Sequence, residues 1–169
     1  MKTFTNIFFL LIAFAINTSA QIPNSGFENW TTVGSHENPT DWSSCNLAGG
    51  PGFPVSKSTD HYPIAIGNYS IKMETDVAAI QQSNCGHGFV KTALYLGDWG
   101  PVIAITGHPN YFCGYYKFLP QNNDTMMITL FLFQGGLLVA SAILTSNSTA
   151  SNWTSFNIPI SAYVTADSA

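Results

Sequence analysis

Apolar and polar side chains alternate in short runs along this chain, and clusters of Gly, Pro, Asn and Asp separate the runs. From Tyr69 to Thr75, Ile71, Met73 and Thr75 alternate with Ser70, Lys72 and Glu74, so one face turns to a core and the other to water. That predicts a half-buried strand. Phe89 to Leu96 and Tyr111 to Phe118 continue the pattern. In the second, Phe112, Gly114, Tyr116 and Phe118 share one face, and Tyr111, Cys113, Tyr115 and Lys117 the other. Met126 to Phe133 and Leu137 to Thr145 flank Gln134-Gly135-Gly136, whose glycines permit the positive φ of a tight hairpin. Both strands are apolar on each face, which predicts a central pair covered by the opposite sheet on one side and by loops or a neighbour on the other. From Trp153 to Ile160, Trp153, Ser155, Asn157 and Pro159 alternate with Thr154, Phe156, Ile158 and Ile160, and Pro159 places this strand's end at an edge or bulge.

No segment after the N-terminal leader keeps a capped helical period, so the expected fold is all-β, an antiparallel β-sandwich or barrel. The first strand is expected to begin with Phe27 and Trp30. Between Thr31 and Asn68, Pro39, Pro51, Pro54 and Pro63 interrupt the pattern, which reads as a long irregular excursion with one short strand near Asp41 to Cys45. Its aromatics, Trp42, Phe53 and Tyr62, predict that it is ordered. Trp30, Trp42 and Trp153 lie at strand starts and are expected in the core.

Residues 1–20 read as a signal peptide: Lys2 precedes the apolar stretch Ile7 to Ile16, and Asn17-Thr18-Ser19-Ala20 supplies small residues before Gln21. This apolar core is too short for a membrane anchor of roughly 20 residues, and no later segment qualifies, so a secreted or cell-surface location without a membrane span is expected. Residues 21–169 are enough for one domain. Val164 to Ala169 follow the last strand without a turn or cap, which suggests a domain missing its final strand and part of a longer polypeptide.

Composition narrows the function. The chain is 46% hydrophobic and 14% aromatic but 8% charged, far below the roughly one quarter usual for soluble domains. It contains no Arg, so the field that attracts a phosphate backbone is missing, and nucleic acid is excluded as the expected partner. Three cysteines allow one disulfide and a spare thiol, or a further partner outside this chain. Cys45 with Cys85 is the preferred pairing, since both lie in Gly/Asn/Ser-rich surroundings, while Cys113 in an aromatic strand suits a small buried hydrophobe.

The acids and histidines are scattered, without Gly-x-Ser-x-Gly or a Cys/His metal spacing. Glu28, Glu37 and Asp41 are near in sequence and leave open a carboxylate pair for glycoside hydrolysis. Sugar binding needs less: an aromatic face against the pyranose ring and one or two side chains to fix hydroxyls. Asp98-Trp99, in the turn Gly97 to Pro101, and Tyr62 beside Asp60 and His61 are the candidates. The alternative for each aromatic is that it folds back to cap the sheet. Asn-x-Ser/Thr sequons at Asn29, Asn68, Asn123, Asn147 and Asn152 matter only in a glycosylating host.

The stretch Asn24-Ser25-Gly26-Phe27-Glu28-Asn29-Trp30, followed by Asn38-Pro39-Thr40-Asp41-Trp42, resembles the opening of exported bacterial jelly-roll modules. These are the galactose-binding-like carbohydrate-binding modules and the related carbohydrate metabolism domain. Gly67 to Met73, Phe112 to Phe118 and Trp153 to Ile160 are similar to later stretches of the same group, in the same order. The resemblance implies a jelly roll of about eight or nine strands. It also implies a structural calcium, to which only Glu28 carries over as a ligand, because the family's last strand and its Asp are absent. The expected function is therefore a non-catalytic exported module that binds a glycan or cell-surface polysaccharide, or mediates adhesion. A ligand-free structural domain of a larger surface protein is the alternative, with a glycan-active hydrolase third.

Overall fold

The computed structural model describes residues 22–48, 52–75, 90–91 and 103–169. Among them every regular element is a strand except one 3-10 turn, Cys45–Ala48. No helix among the described residues is long and apolar enough to cross a membrane. The strands are β1 (Trp30–Val33), β2 (His36–Pro39), β3 (Ser43–Ser44), β4 (Val55–Ser58), β5 (Ser70–Met73), β6 (Val90–Lys91), β7 (Tyr111–Phe118), β8 (Met126–Gln134), β9 (Leu137–Ser146) and β10 (Ala150–Pro159). They pair antiparallel as β1 with β2, β3 with β6, β4 with β5, β7 with β10 and β8 with β9. The fold is all-β and built from small antiparallel sheets.

Turn chemistry explains the two tight hairpins. Gly34 takes φ 61° at the first loop position, pairing Val33 with His36. Gly135 and Gly136 take 56° and 81° between Gln134 and Leu137, as that loop's sequence predicts. Asp167 steadies this second turn by accepting the Gly135 amide at 2.8 Å. That hydrogen bond, with one from Ser168, holds the Asp167 carboxyl below its ordinary pKa.

Among the described residues, a buried apolar cluster lies on one face of the β8–β9 hairpin. Leu132, Ala140, Ala142 and Ile160 are buried there, with Phe112, Leu130 and Ile158 packed around them. Residues 167–169 run alongside both β8 and the segment Ile103 to Ile105. Ala169 and Ile103 exchange both backbone hydrogen bonds at 2.9 Å, and Phe133 donates to Ser168. The other face of the hairpin, expected under loops or a neighbour, carries Met127 and Ile143 at 65% and 50% exposure in this chain.

On the β7–β10 pair the two faces divide as the alternation predicts. Phe156 lies opposite Gly114, and its ring fills the space that a side chain there would need. Phe112 packs edge-on against it at 5.4 Å. Cys113, expected to pack as a small hydrophobe, is instead exposed as a free thiol, because its position belongs to the outward set. Cys45 is disulfide-bonded, while Cys85 lies outside the described residues.

Thr31 to Asn68 is more regular than its prolines suggest. Buried Asn46 stands in for a strand partner: its amide donates to Val55 O at 2.7 Å and accepts from Val55 N at 3.2 Å. Ser44 Oγ donates to Asn38 Oδ1 at 2.7 Å beside it. This knits the β2 region to β4. Phe27, expected to start the first strand, sits in a turn at φ 55°, below Trp42 with ring centroids 5.1 Å apart. Asn24 dictates that turn, donating to Asn29 O and Thr40 O and accepting from Asn29 N.

A methyl group at position 114 would lie 2.7 Å from the Phe156 ring, closer than van der Waals contact allows. Gly114→Ala is therefore expected to cost about 1–3 kcal/mol in urea unfolding. Gly114→Ala with Phe156→Leu should cost less than the sum of the single changes.

Candidate functional site

The loop from Thr59 to Asn68, between β4 and β5, lies against the outward face of the β7–β10 pair. Its position follows from local hydrogen bonds. Ser58 Oγ accepts the Asp60 amide at 3.1 Å, Ser70 Oγ donates to Asp60 O at 2.7 Å, and Pro63 O accepts the Ile66 amide at 3.0 Å. At the far end, Glu28 reaches across from the N-terminal turn. Its carboxylate accepts the Asn68 amide at 2.9 and 3.0 Å and the Tyr69 amide at 3.1 Å. Gly67, at φ 80°, permits this approach, since a Cβ there would collide with Glu28 Oε1.

Thus held, the loop delivers Asp60 to two residues far along the chain. Lys117 Nζ donates to Asp60 Oδ2 at 2.7 Å, and Trp153 Nε1 donates to Oδ1 at 2.9 Å. The Lys117 ammonium also stands 5.3 Å from the Trp153 ring centroid, within cation–π range. The Lys117 hydrogen bond, then that of Trp153, lowers the Asp60 pKa, so the group is a carboxylate and an acceptor. The ion pair is largely open to water and so contributes little to stability by itself. Two residues on, Tyr62 meets Tyr115 edge-to-face with centroids 4.6 Å apart, and both rings are nearly half exposed.

The resulting surface is an anionic acceptor beside a Trp, a Lys and two open Tyr rings. It has the parts that sugar recognition uses: apolar ring area for stacking and fixed polar atoms for hydroxyls. A carboxylate held ionised by donors is unsuited to be a general acid. Asp60 and Tyr62, predicted from sequence, are brought together here. Asp98 and Trp99 lie outside the described residues.

Trp153, Lys117 and Tyr115 were missed as site residues. Trp153 was expected in the core with Trp30 and Trp42, but all three are only half-buried. The β10 alternation already placed Trp153 with Ser155 and Asn157, and that on β7 placed Lys117 with Tyr115. Position at a strand start pointed Trp153 inward, whereas its place in the strand's alternation turns it toward Asp60 and Lys117. The other acids stand elsewhere: Glu37 pairs with Lys57 at 2.9 Å, and Asp41 occupies a left-handed turn position.

The Glu28 carboxylate, the group implied in calcium binding, is engaged by the backbone amides of Asn68 and Tyr69. Among the described residues no group of three His, Cys, Asp or Glu is arranged to hold a metal. The contacts of Glu28 in the structure are those of a loop clamp. Comparison with protein-family models, curated proteins and solved structures found no match to this chain.

If the carboxylate clamps the loop, Glu28→Gln, which turns one acceptor into a donor facing an amide, should lower stability by about 1–3 kcal/mol. Urea midpoints should show the same loss with calcium chloride and with a chelator. A calcium-dependent stabilisation that disappears in Glu28→Gln would assign the residue to a metal.

Proposed function

We propose that this chain is an exported, non-catalytic module that binds carbohydrate on the surface formed by Asp60, Tyr62, Tyr115, Lys117 and Trp153. One observation carries the reading: the Asp60 carboxylate, fixed between Lys117 and the Trp153 indole, lies two residues from an exposed pair of Tyr rings. The carboxylate can accept sugar hydroxyls and the rings offer apolar faces. The β-pairs and their order are compatible with a jelly roll of the galactose-binding-like kind, which is the fold this reading assigns.

The hydrolase reading gains less, since Glu28 and Glu37 are each engaged by a different partner. A structural role beside a neighbouring domain of a longer cell-surface polypeptide is favoured by a separate feature. The outer face of the β8–β9 hairpin, with Met127 and Ile143, and its turn end, with Leu137 and Leu138, expose apolar side chains that such a neighbour would bury.

Affinity gel electrophoresis through a panel of neutral plant and microbial polysaccharides tests the proposal. The parent chain is expected to be retarded by at least one, with Tyr62→Ala and Trp153→Ala each weakening the retained interaction about tenfold. Migration unchanged in every polysaccharide would refute it.

The pH dependence follows from Asp60. Its donors stabilise the anion, so its pKa in the folded chain lies below that in the unfolded chain. The Asp60 contacts are then fully present above the ordinary carboxylate range and are lost as pH falls through the lowered value. Retardation should hold from neutral pH down to that range and decline below it, and Asp60→Asn should abolish that decline.

A further inference from the structure

We infer that the outward face of β7 and β10 is a track for several consecutive units of an extended, neutral glycan, rather than a site for one terminal sugar. This rests on the carbohydrate reading and adds the ligand's length and charge. Tyr111, Cys113, Tyr115 and Lys117 occupy alternate positions of β7 and so share this face. At a strand rise of about 3.4 Å per residue, the row from Lys117 to Tyr111 extends about 20 Å. Tyr111 is 59% exposed, more than Tyr115, so its ring is offered to the surface and not spent on the core.

The far end of the row is built as well. A groove of about 460 Å³ opens beside Tyr111 and Pro159, walled by His108, Asn110, Ser161 and Tyr163. The His108 ring lies parallel to that of Tyr163 at 4.1 Å and bonds Tyr163 O at 3.0 Å, while the Tyr163 hydroxyl donates to Pro109 O. These contacts hold the groove's wall in place before any ligand arrives. Tyr111 and Pro159 face each other across the two strands, so the groove and the row form one surface.

Between the two ends the face is polar and uncharged. Asn157 lies opposite Cys113, and Ser155 opposite Tyr115. The charges of the Asp60 cluster, Asp60 and Lys117, are paired with each other. Ring area at both ends with neutral hydrogen-bonding groups between them matches an uncharged polyol chain better than an anionic or cationic polymer. A short ligand would contact only the Asp60 end, whereas a longer one reaches Tyr111 and the groove.

Cys113 gives a direct readout, because this free, exposed thiol lies midway between Tyr115 and Tyr111. The probes are oligosaccharides cut from whichever neutral polysaccharide retards the chain in gels, from disaccharide to hexasaccharide. Affinity is expected to rise at least tenfold across the series, and the saturating hexasaccharide to slow Cys113 alkylation at least fivefold, measured by mass spectrometry of its peptide. Tyr111→Ala should weaken the hexasaccharide five- to tenfold and leave the disaccharide unchanged. Affinity that is flat with length, or alkylation at an unaltered rate under saturation, would overturn the track while leaving a local sugar site standing. Absence of binding to every polysaccharide would overturn both.

Discussion

Short strands leave many backbone amides and carbonyls without ladder partners, and in this chain a few Asn, Asp and Glu side chains supply them. Asn24 closes the N-terminal turn, Glu28 gathers the amides of Asn68 and Tyr69, Asn46 serves both polar groups of Val55, and Asp167 holds Gly135. With 8% charged residues and no Arg, few of these contacts can come from charged side chains. An unpaired buried backbone group costs about as much as a lost hydrogen bond, so at Val55 the buried Asn46 side chain is required, and the exposed contacts fix the loops around it. The surface proposed to bind sugar is a consequence. Asp60 can meet Lys117 and Trp153 only because the loop that carries it is fixed at both ends.

The same economy shapes the chemistry. Asp60 has two strong donors and remains open to water, so it keeps acceptor capacity for a ligand. Glu28 and Glu37 are committed to structural partners. The aromatic content divides in a similar way. Phe112 and Phe156 pack inward around Gly114, and Tyr111 and Tyr115 stand outward on the same strand. One face of β7 thus serves the core, and the other stands open.

Much of the architecture was legible in the residues. Tyr111 to Phe118 is the observed β7, and the Gly135-Gly136 hairpin and the two-faced character of β7 and β10 follow from turn chemistry and period-2 alternation. These are local rules that a short stretch obeys regardless of its surroundings. Trp153, at a strand start, and Cys113, in an aromatic strand, are both expected inside, although their strands' alternation turns both outward. The regularity of Thr31 to Asn68 was hidden because Asn46, a side chain, takes the place of a strand, and no periodicity records such a substitution.

The amino-acid sequence by itself determined the all-β character, the Gly135-Gly136 hairpin, the two-faced alternation of β7 and β10, and the shortage of charge that disfavours nucleic acid. Each depends on steric and hydration preferences acting over a few neighbouring residues. Only the tertiary structure decided that Asp60 would meet Lys117 and Trp153, residues 57 and 93 positions away, and that Glu28 would clamp a loop 40 positions on. Contacts at such separation depend on how sheets and loops stack, and that stacking is set by the summed burial and hydrogen bonding of the chain.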